Sequence, residues 1–281
     1  MSSAVFMTVL AAAAMHAGWN AFLKARLEPF LAMTLITASA GVVGMPLVLA
    51  FGWPRAAAWP WVVASVALHF CYYLALTAAY RRGEMGQIYP IVRGGAPLCT
   101  ALVSIAVLRD PLRAQALIGI VILGAGVVMM SAHRRRGGAR LEWKAIAFAV
   151  LTACIISGYT VVDGTGARRA GDPSAYIAAL CVLDGLPLPL FALARRGSAI
   201  FAPMRRFIGQ GLAGGAMSVG AYWIAVWAMT LAPIAIVAAL RETSVLFSAA
   251  IATFFLKEPF VPARGMAALI ILAGILLIRW Q

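Results

Sequence analysis

Apolar residues along this chain neither alternate with polar ones nor recur as one helical stripe. They run in blocks of about twenty residues, with charges and turn-forming residues gathered between the blocks. A block of that length lets an α-helix cross the hydrocarbon layer, where only intrahelical bonds satisfy the backbone. The pattern predicts helices at roughly 4–23, 31–52, 59–80, 86–108, 114–131, 145–163, 174–194, 207–230, 234–256 and 265–279. Strands of a membrane barrel alternate over roughly ten residues, so the runs are too long for one. The fold class is therefore an all-α polytopic membrane protein with ten transmembrane helices. Pro90 and Pro233 stand near helix starts, where proline is tolerated; Pro97, Pro187 and Pro189 lie deeper. Together with Gly94-Gly95 these deeper sites suggest breaks, which lipid permits only against protein or a water-filled cavity.

Composition agrees. Of 281 residues, 63% are hydrophobic and 11% charged, and mean hydropathy is +0.93. Soluble domains average roughly 45–50% apolar and roughly 25% charged residues. Soluble, disordered, collagen-like and disulfide-scaffold classes are excluded. Cys71, Cys99, Cys154 and Cys181 each fall in a different apolar block and read as buried, inert thiols. The first block begins near Val5 with no basic residue ahead of it and reads as a retained helix, not a signal peptide.

The net charge of +14 suggests nucleic acid until its distribution is considered. Six of the 23 basic residues fall on the N-terminal side, fifteen on the other side, and two inside helices. This is a topology signal, and it implies no nucleic-acid partner. It places the loops after helices 1, 3, 5, 7 and 9 in the cytoplasm of a cell inner membrane, with both termini outside.

The chain also repeats. A shift of 148 positions lays Arg93 on Arg241, Leu108-Arg109-Asp110-Pro111 on Leu256-Lys257-Glu258-Pro259, and Ala125-Gly126 on Ala273-Gly274. Gly18-Trp19 similarly resembles Gly158-Tyr159. Residues 1–131 and 145–281 thus form two five-helix repeats, joined by a basic segment at 132–144. Five is odd, so the second repeat enters the membrane inverted. Inverted repeats place a binding site near the midplane between the halves, with alternating access.

Ten spans in two such repeats, each with an acidic-Pro pair after its fourth helix, resemble the drug/metabolite transporter superfamily. Within it, Tyr89-Pro90-Ile91-Val92-Arg93-Gly94-Gly95-Ala96-Pro97 is similar to a segment of EamA-type proteins. The resemblance spans nearly the whole chain. It implies ATP-independent transport of a small metabolite, often export of amino acids or related compounds, with no cofactor. It does not fix a substrate.

Charged side chains in the hydrocarbon layer cost about 2.5–3.5 kcal/mol on insertion scales, so each needs a reason. Arg93 and Arg241 each lie 17 residues before an acidic-Pro pair, well inside the membrane at mirrored depths. Facing a common cavity, they would offer forked donors to a carboxylate or phosphonate. The alternative is structural: bonds to freed carbonyls, or pairing with Glu242 or Asp184. These two carboxylates are in turn candidates either for ion pairs or for proton coupling, with protons as the driving ion. Adjacent helix residues point about 100° apart, so Glu242 does not share the face of Arg241.

Polar or aromatic residues four apart share a helix face. They include His16 with Asn20, His69 with Tyr73, Tyr89 with Arg93, Tyr159 with Asp163, and Trp223 with Trp227, with Trp19 and Tyr72 beside them. Turned inward, they would form an aromatic-walled cavity with a few polar anchors. Plain packing is the alternative for each aromatic. His16, His69 and His133 lack metal-site spacing, and no GxxxxGK loop is present, so ATP-driven transport would need another subunit.

Two other classes compete. Asp163-Gly164-Thr165-Gly166-Ala167-Arg168 matches the opening of the CDP-alcohol phosphotransferase motif, but Ile177, Cys181 and Gly185 stand where that motif needs Gly, Asp and Asp. A membrane enzyme is therefore disfavoured, and the hexamer reads as a helix end. A lipid-translocating protein remains an alternative to the metabolite exporter. Gly211 and Gly215 permit close helix contact, which is read as internal, so the chain is expected to be a monomer.

Overall fold

The computed structural model describes residues 1–23, 27–83, 85–110, 112–132, 142–254 and 262–280. Of these, the side chains of 19–23, 29, 85–87, 131–132 and 252 also lie outside the description. The described residues are helical, without strands. The helices are α1 (Ser3–Leu23), α2 (Pro29–Phe51), α3 (Trp59–Tyr80), α4 (Met85–Val103), α5 (Ala114–Ala132) and α6 (Trp143–Arg169). Then come α7 (Pro173–Asp184 and Pro187–Arg196), α8 (Ile208–Leu231), α9 (Ile234–Arg241 and Ser244–Phe254) and α10 (Pro262–Arg279). A single helical turn, Phe201–Arg205, leads from α7 into α8. Eight stretches are long and apolar enough to cross a bilayer, and the shorter apolar windows Ser3–Gly18 and Ala114–Met130 supply two more. Proline opens α2, α3 and both parts of α7, where its missing N–H costs nothing.

The breaks follow only in part those suggested by proline and glycine: α7 does break, immediately before Pro187. α4 runs without interruption through Pro90 and Pro97. It widens into a π-turn at Ser104–Leu108 and ends on Arg109 in the left-handed region, φ 53°. α7 breaks at Gly185, where α2 crosses it. A Cβ added to Gly185 would stand 2.6 Å from the Gly41 Cα, so only glycine permits this approach. α9 breaks at Glu242-Thr243, with no glycine or proline there. The break coincides with the arrival of Arg93 from α4, described below.

The two halves interlock as inverted repeats should. α5 packs on its own counterpart α10, and α2 on its counterpart α7. The α3–α6 contact is answered by α8–α1, and the α4–α6 contact by α9–α1. This is the scheme of a pseudo-two-fold axis in the membrane plane. At the α5–α10 crossing a Cβ on Gly274 would stand 2.7 Å from the Gly119 carbonyl, and one on Gly126 would stand 2.6 Å from the Ile271 side chain. Gly211 and Gly215 seat α8 against Leu35 and Ser39 of α2, so that spacing is used within the chain. Without a hydrophobic drive between helices in lipid, such close approaches supply van der Waals contact. Large apolar side chains such as Leu49, Leu102, Val107, Leu190 and Leu269 stay exposed on the outside, as a lipid-facing surface requires.

Candidate functional site

A cavity of about 320 Å³ lies between the halves. It is walled by α1, α2, α3, α4, α6, α7, α8 and α9. Its lining comes from 33–40 on α2, 69–80 on α3 and 89–93 on α4. These are the middle and arginine-rich-end portions of their helices. The cavity therefore extends from the midplane toward the basic face.

Arg93 enters it from α4 but is fully engaged. One Nη donates to Glu242 Oε1 at 3.2 Å, and the other donates to His16 Nε2 at 2.9 Å and Ser244 Oγ at 3.4 Å. Its Nε donates to the Tyr89 hydroxyl at 3.3 Å. The Arg93 and Glu242 side chains are only 16% and 7% exposed. Arg93 thus reaches across Glu242-Thr243-Ser244, bonding side chains on both sides of the break in α9. Glu242 Oε2 is buried without a hydrogen-bond partner, so Arg93 is the main compensation for that carboxylate.

Arg241 is differently placed. It lines the cavity, and its guanidinium stands 4.9 Å from the Tyr222 ring centroid, over the face. Among the described residues no carboxylate stands within ion-pair distance of it. The repeat explains the asymmetry. The position equivalent to Glu242 is Gly94, where α5 crosses so closely that a Cβ would lie 2.5 Å from Val128 Cγ2. No carboxylate fits there, so the second arginine lacks the partner of the first.

The walls are aromatic. His69 stacks on Tyr159 with centroids 4.1 Å apart and meets Tyr222 edge-on at 5.9 Å. Tyr72 packs edge-on against Tyr159 at 5.9 Å and beside Tyr73 at 5.2 Å. His69 Nδ1 lies 3.0 Å from the Ser65 carbonyl and 3.1 Å from the Ser65 hydroxyl, which together orient the ring. Tyr73 donates to Asp184 Oδ2 at 3.0 Å, while Asp184 Oδ1 is buried without a partner. A cation, an unsatisfied carboxylate oxygen and aromatic faces thus share one cavity. That suits a small amphipathic ligand with an acidic group.

The opposite end is closed by polar contacts between elements. Buried Asp163 accepts from the Tyr176 hydroxyl at 2.8 Å and from the Tyr222 hydroxyl. One turn further, Arg168 donates to the carbonyls of Met229 (2.9 Å) and Ala232 (3.1 Å) and to Asp110 Oδ1 (3.4 Å). Asp110 Oδ2 accepts from the Ile234 N–H at the start of α9, at 3.3 Å. Gly164 and Gly166 make room for Ile234 and Tyr176. The hexamer 163–168 is thus a packing and sealing element within α6.

His16, His69, Tyr73, Tyr89, Arg93, Tyr159, Arg241 and Asp184 are brought together around the cavity, and Glu242 lies behind Arg93. Trp223 and Trp227 are not among its lining residues. Trp223 packs edge-on against Phe51 at 5.0 Å, and Trp227 packs on the core shared by α1, α5, α8 and α9. On α8 the cavity meets 218–222; Trp223 and Trp227 lie one and two turns beyond Val219 on the same helix face, past the end of the cavity. The side chains of Trp19 and Asn20 lie outside the described residues, as do the segments 133–141 and 255–261 with the Leu256–Pro259 repeat motif. Sequence reasoning missed Tyr222, Tyr80 and Ser244. A mid-span tyrosine hydroxyl finds no partner in lipid, and that signal was present for Tyr222 but not for Tyr80, the last residue of α3. Among the described residues no three His, Cys, Asp or Glu side chains could hold a metal.

Comparison with known proteins agrees with this architecture. No curated protein sequence matches the chain. A solved crystal structure superimposes with a TM-score of 0.78 over 98% of this chain and 95% of its own, at 20% identity, and so shares the fold. The model of the EamA-like transporter family matches twice, at residues 3–132 and 143–280. With both five-helix halves matched, the chain belongs to the EamA-like transporter family, a membrane-transporter family of the drug/metabolite superfamily.

Proposed function

We propose that the protein is an ATP-independent exporter of a small amphipathic metabolite bearing an acidic group, of the amino-acid or related class. Arg241 is the anchor for that group. The supporting observation is its position: a guanidinium in the cavity wall with no carboxylate partner among the described residues, while its repeat twin Arg93 is held by Glu242. The tyrosines and His69 receive the apolar part. With the basic face in the cytoplasm of the inner membrane, the described state is open inward and sealed outward by Arg168 and Asp110. Asp184, with Tyr73 on one oxygen, is the candidate proton carrier; Glu242, committed to Arg93, is not. The transporter works as a monomer, because the cavity is built within one chain.

The test is flux of amino acids and phosphonates in proteoliposomes, with and without a pH gradient, preceded by a thermal-shift screen of the same compounds. A hydrogen bond to a charged group contributes about 1.5–3 kcal/mol, so Arg241→Ala should weaken acidic-ligand binding by about 10–150-fold. Its unliganded melting temperature should be nearly unchanged. Undiminished flux in Arg241→Ala refutes the assignment. Flux independent of the pH gradient refutes proton coupling.

A further inference from the structure

A second pocket, of about 460 Å³, lies outside the transport cavity, between the ends of α3 and α7 at the basic face. Four of its twelve lining residues are arginines, Arg81, Arg82, Arg195 and Arg196, and none is acidic. Arg196 is engaged by Glu28 at 2.6 and 2.8 Å. Arg82 lies 4.7 Å from the Phe148 ring centroid and donates to the Ala78 carbonyl. Arg81 and Arg195 are exposed, and among the described residues neither meets a carboxylate. Among the described residues the pocket therefore carries more positive than negative charge, with Glu28, paired to Arg196, the one carboxylate near Arg81.

Beneath the arginines its wall is apolar. Phe191 forms the floor, met edge-on by Phe30 at 6.5 Å and Phe70 at 5.7 Å. On the same segment Leu190 and Leu193 are exposed to the lipid side. Trp143, 71% exposed at the start of α6, stands at the level expected of an interfacial tryptophan. Phe148, a little over one turn deeper on that helix, forms another part of the pocket wall. Guanidinium groups thus sit at headgroup depth, and aromatic surface continues below them into the acyl region. Tyr73 separates this pocket from the transport cavity: it lines both, with its hydroxyl turned to Asp184.

We infer that this pocket binds the headgroup of an anionic phospholipid from the basic-side leaflet, with Arg81 and Arg195 holding the phosphate and the Phe191 wall holding an acyl chain. Guanidinium forks match phosphate geometry, and an anionic leaflet supplies the ligand. The bound lipid ties α3 to α7 and so stabilises the described state. The inference does not depend on what the central cavity transports.

The experiment uses the full chain in detergent, with phosphatidylglycerol or phosphatidylcholine added. At a hundredfold excess over Kd, phosphatidylglycerol should raise the melting temperature by about 5–10 °C, and phosphatidylcholine should not. The variant Arg81→Gln/Arg195→Gln should lose that rise. The control Arg205→Gln/Arg206→Gln, with equal charge removed from the same face, should keep it. Native mass spectrometry of the unaltered chain should show retained phosphatidylglycerol in preference to phosphatidylcholine. The inference is overturned if the control loses the rise equally, since the effect is then general charge attraction. An equal rise with glycerol phosphate overturns it too, since the site then takes soluble anions. Retention without headgroup preference overturns it whether or not the variant folds.

Discussion

The pairing of Arg93 with Glu242 is the contact most open to quantitative attack. In Arg93→Met, Glu242 loses its only ion-pair partner among the described residues, while its second oxygen is already unpartnered. Removing one member of a buried pair costs about 3–5 kcal/mol, because the other charge stays buried. At about 2–4 °C per kcal/mol for a chain of this size, the melting temperature should fall by about 6–20 °C. Glu242→Leu alone strands Arg93, but the guanidinium keeps His16, Tyr89 and Ser244, so its loss should be smaller. The double variant Arg93→Met/Glu242→Leu replaces the pair by apolar side chains and should recover most of the stability. Thermal unfolding of the four proteins in one detergent closes the double-mutant cycle. A coupling of at least about 2 kcal/mol is expected from residues in direct contact. If Arg93→Met melts with the parent protein and loses only ligand binding, Arg93 is a substrate anchor and the structural assignment is wrong.

Two further outcomes follow from local geometry. Gly185→Ala puts a methyl group 2.6 Å from the Gly41 Cα and should destabilise by about 1–3 kcal/mol, whereas Gly209→Ala, which meets nothing within 4 Å, should be neutral in the same melting assay. Outside the membrane-spanning segments, Arg196 holds the Glu28 carboxyl below the usual carboxylate range. A depressed carboxyl stabilises above its unfolded pKa of about 4.3 and loses that contribution as pH falls through the folded value. The parent protein should therefore melt above Glu28→Gln at neutral pH, with the difference closing on acidification; a pH-independent difference would refute the ion-pair account.

Much of the architecture is legible in the chain. The helix boundaries follow the apolar blocks because a bilayer leaves the backbone almost no other option. The inversion follows from an odd number of spans per repeat. The broken helices were less legible. Pro97 looked disruptive but sits inside a continuous α4, and Thr243, an ordinary helix residue, stands in the break of α9. The break of α7 falls where Pro187 announces it, whereas that of α9 carries no local signal and coincides with the contacts of Arg93 to Glu242 and Ser244. How far the cavity reaches along α8 was not legible either: Trp223 and Trp227 share a helix face with lining Val219, but periodicity does not say at what depth that face meets the cavity.

Residue order alone is enough to establish that the chain crosses a membrane, that it does so as two inverted halves, and that two arginines lie within it at equivalent positions. Those conclusions rest on local hydrophobicity and internal similarity, which need no knowledge of neighbours. That the two arginines are not equivalent emerges from packing in three dimensions. Arg93 meets a carboxylate 149 residues away on another helix. Arg241 has none within ion-pair distance among the described residues, and the equivalent place is occupied by Gly94 beneath the crossing of α5. Whether a buried charge holds the fold or faces the cavity depends on what stands across from it, and that is set by helix packing.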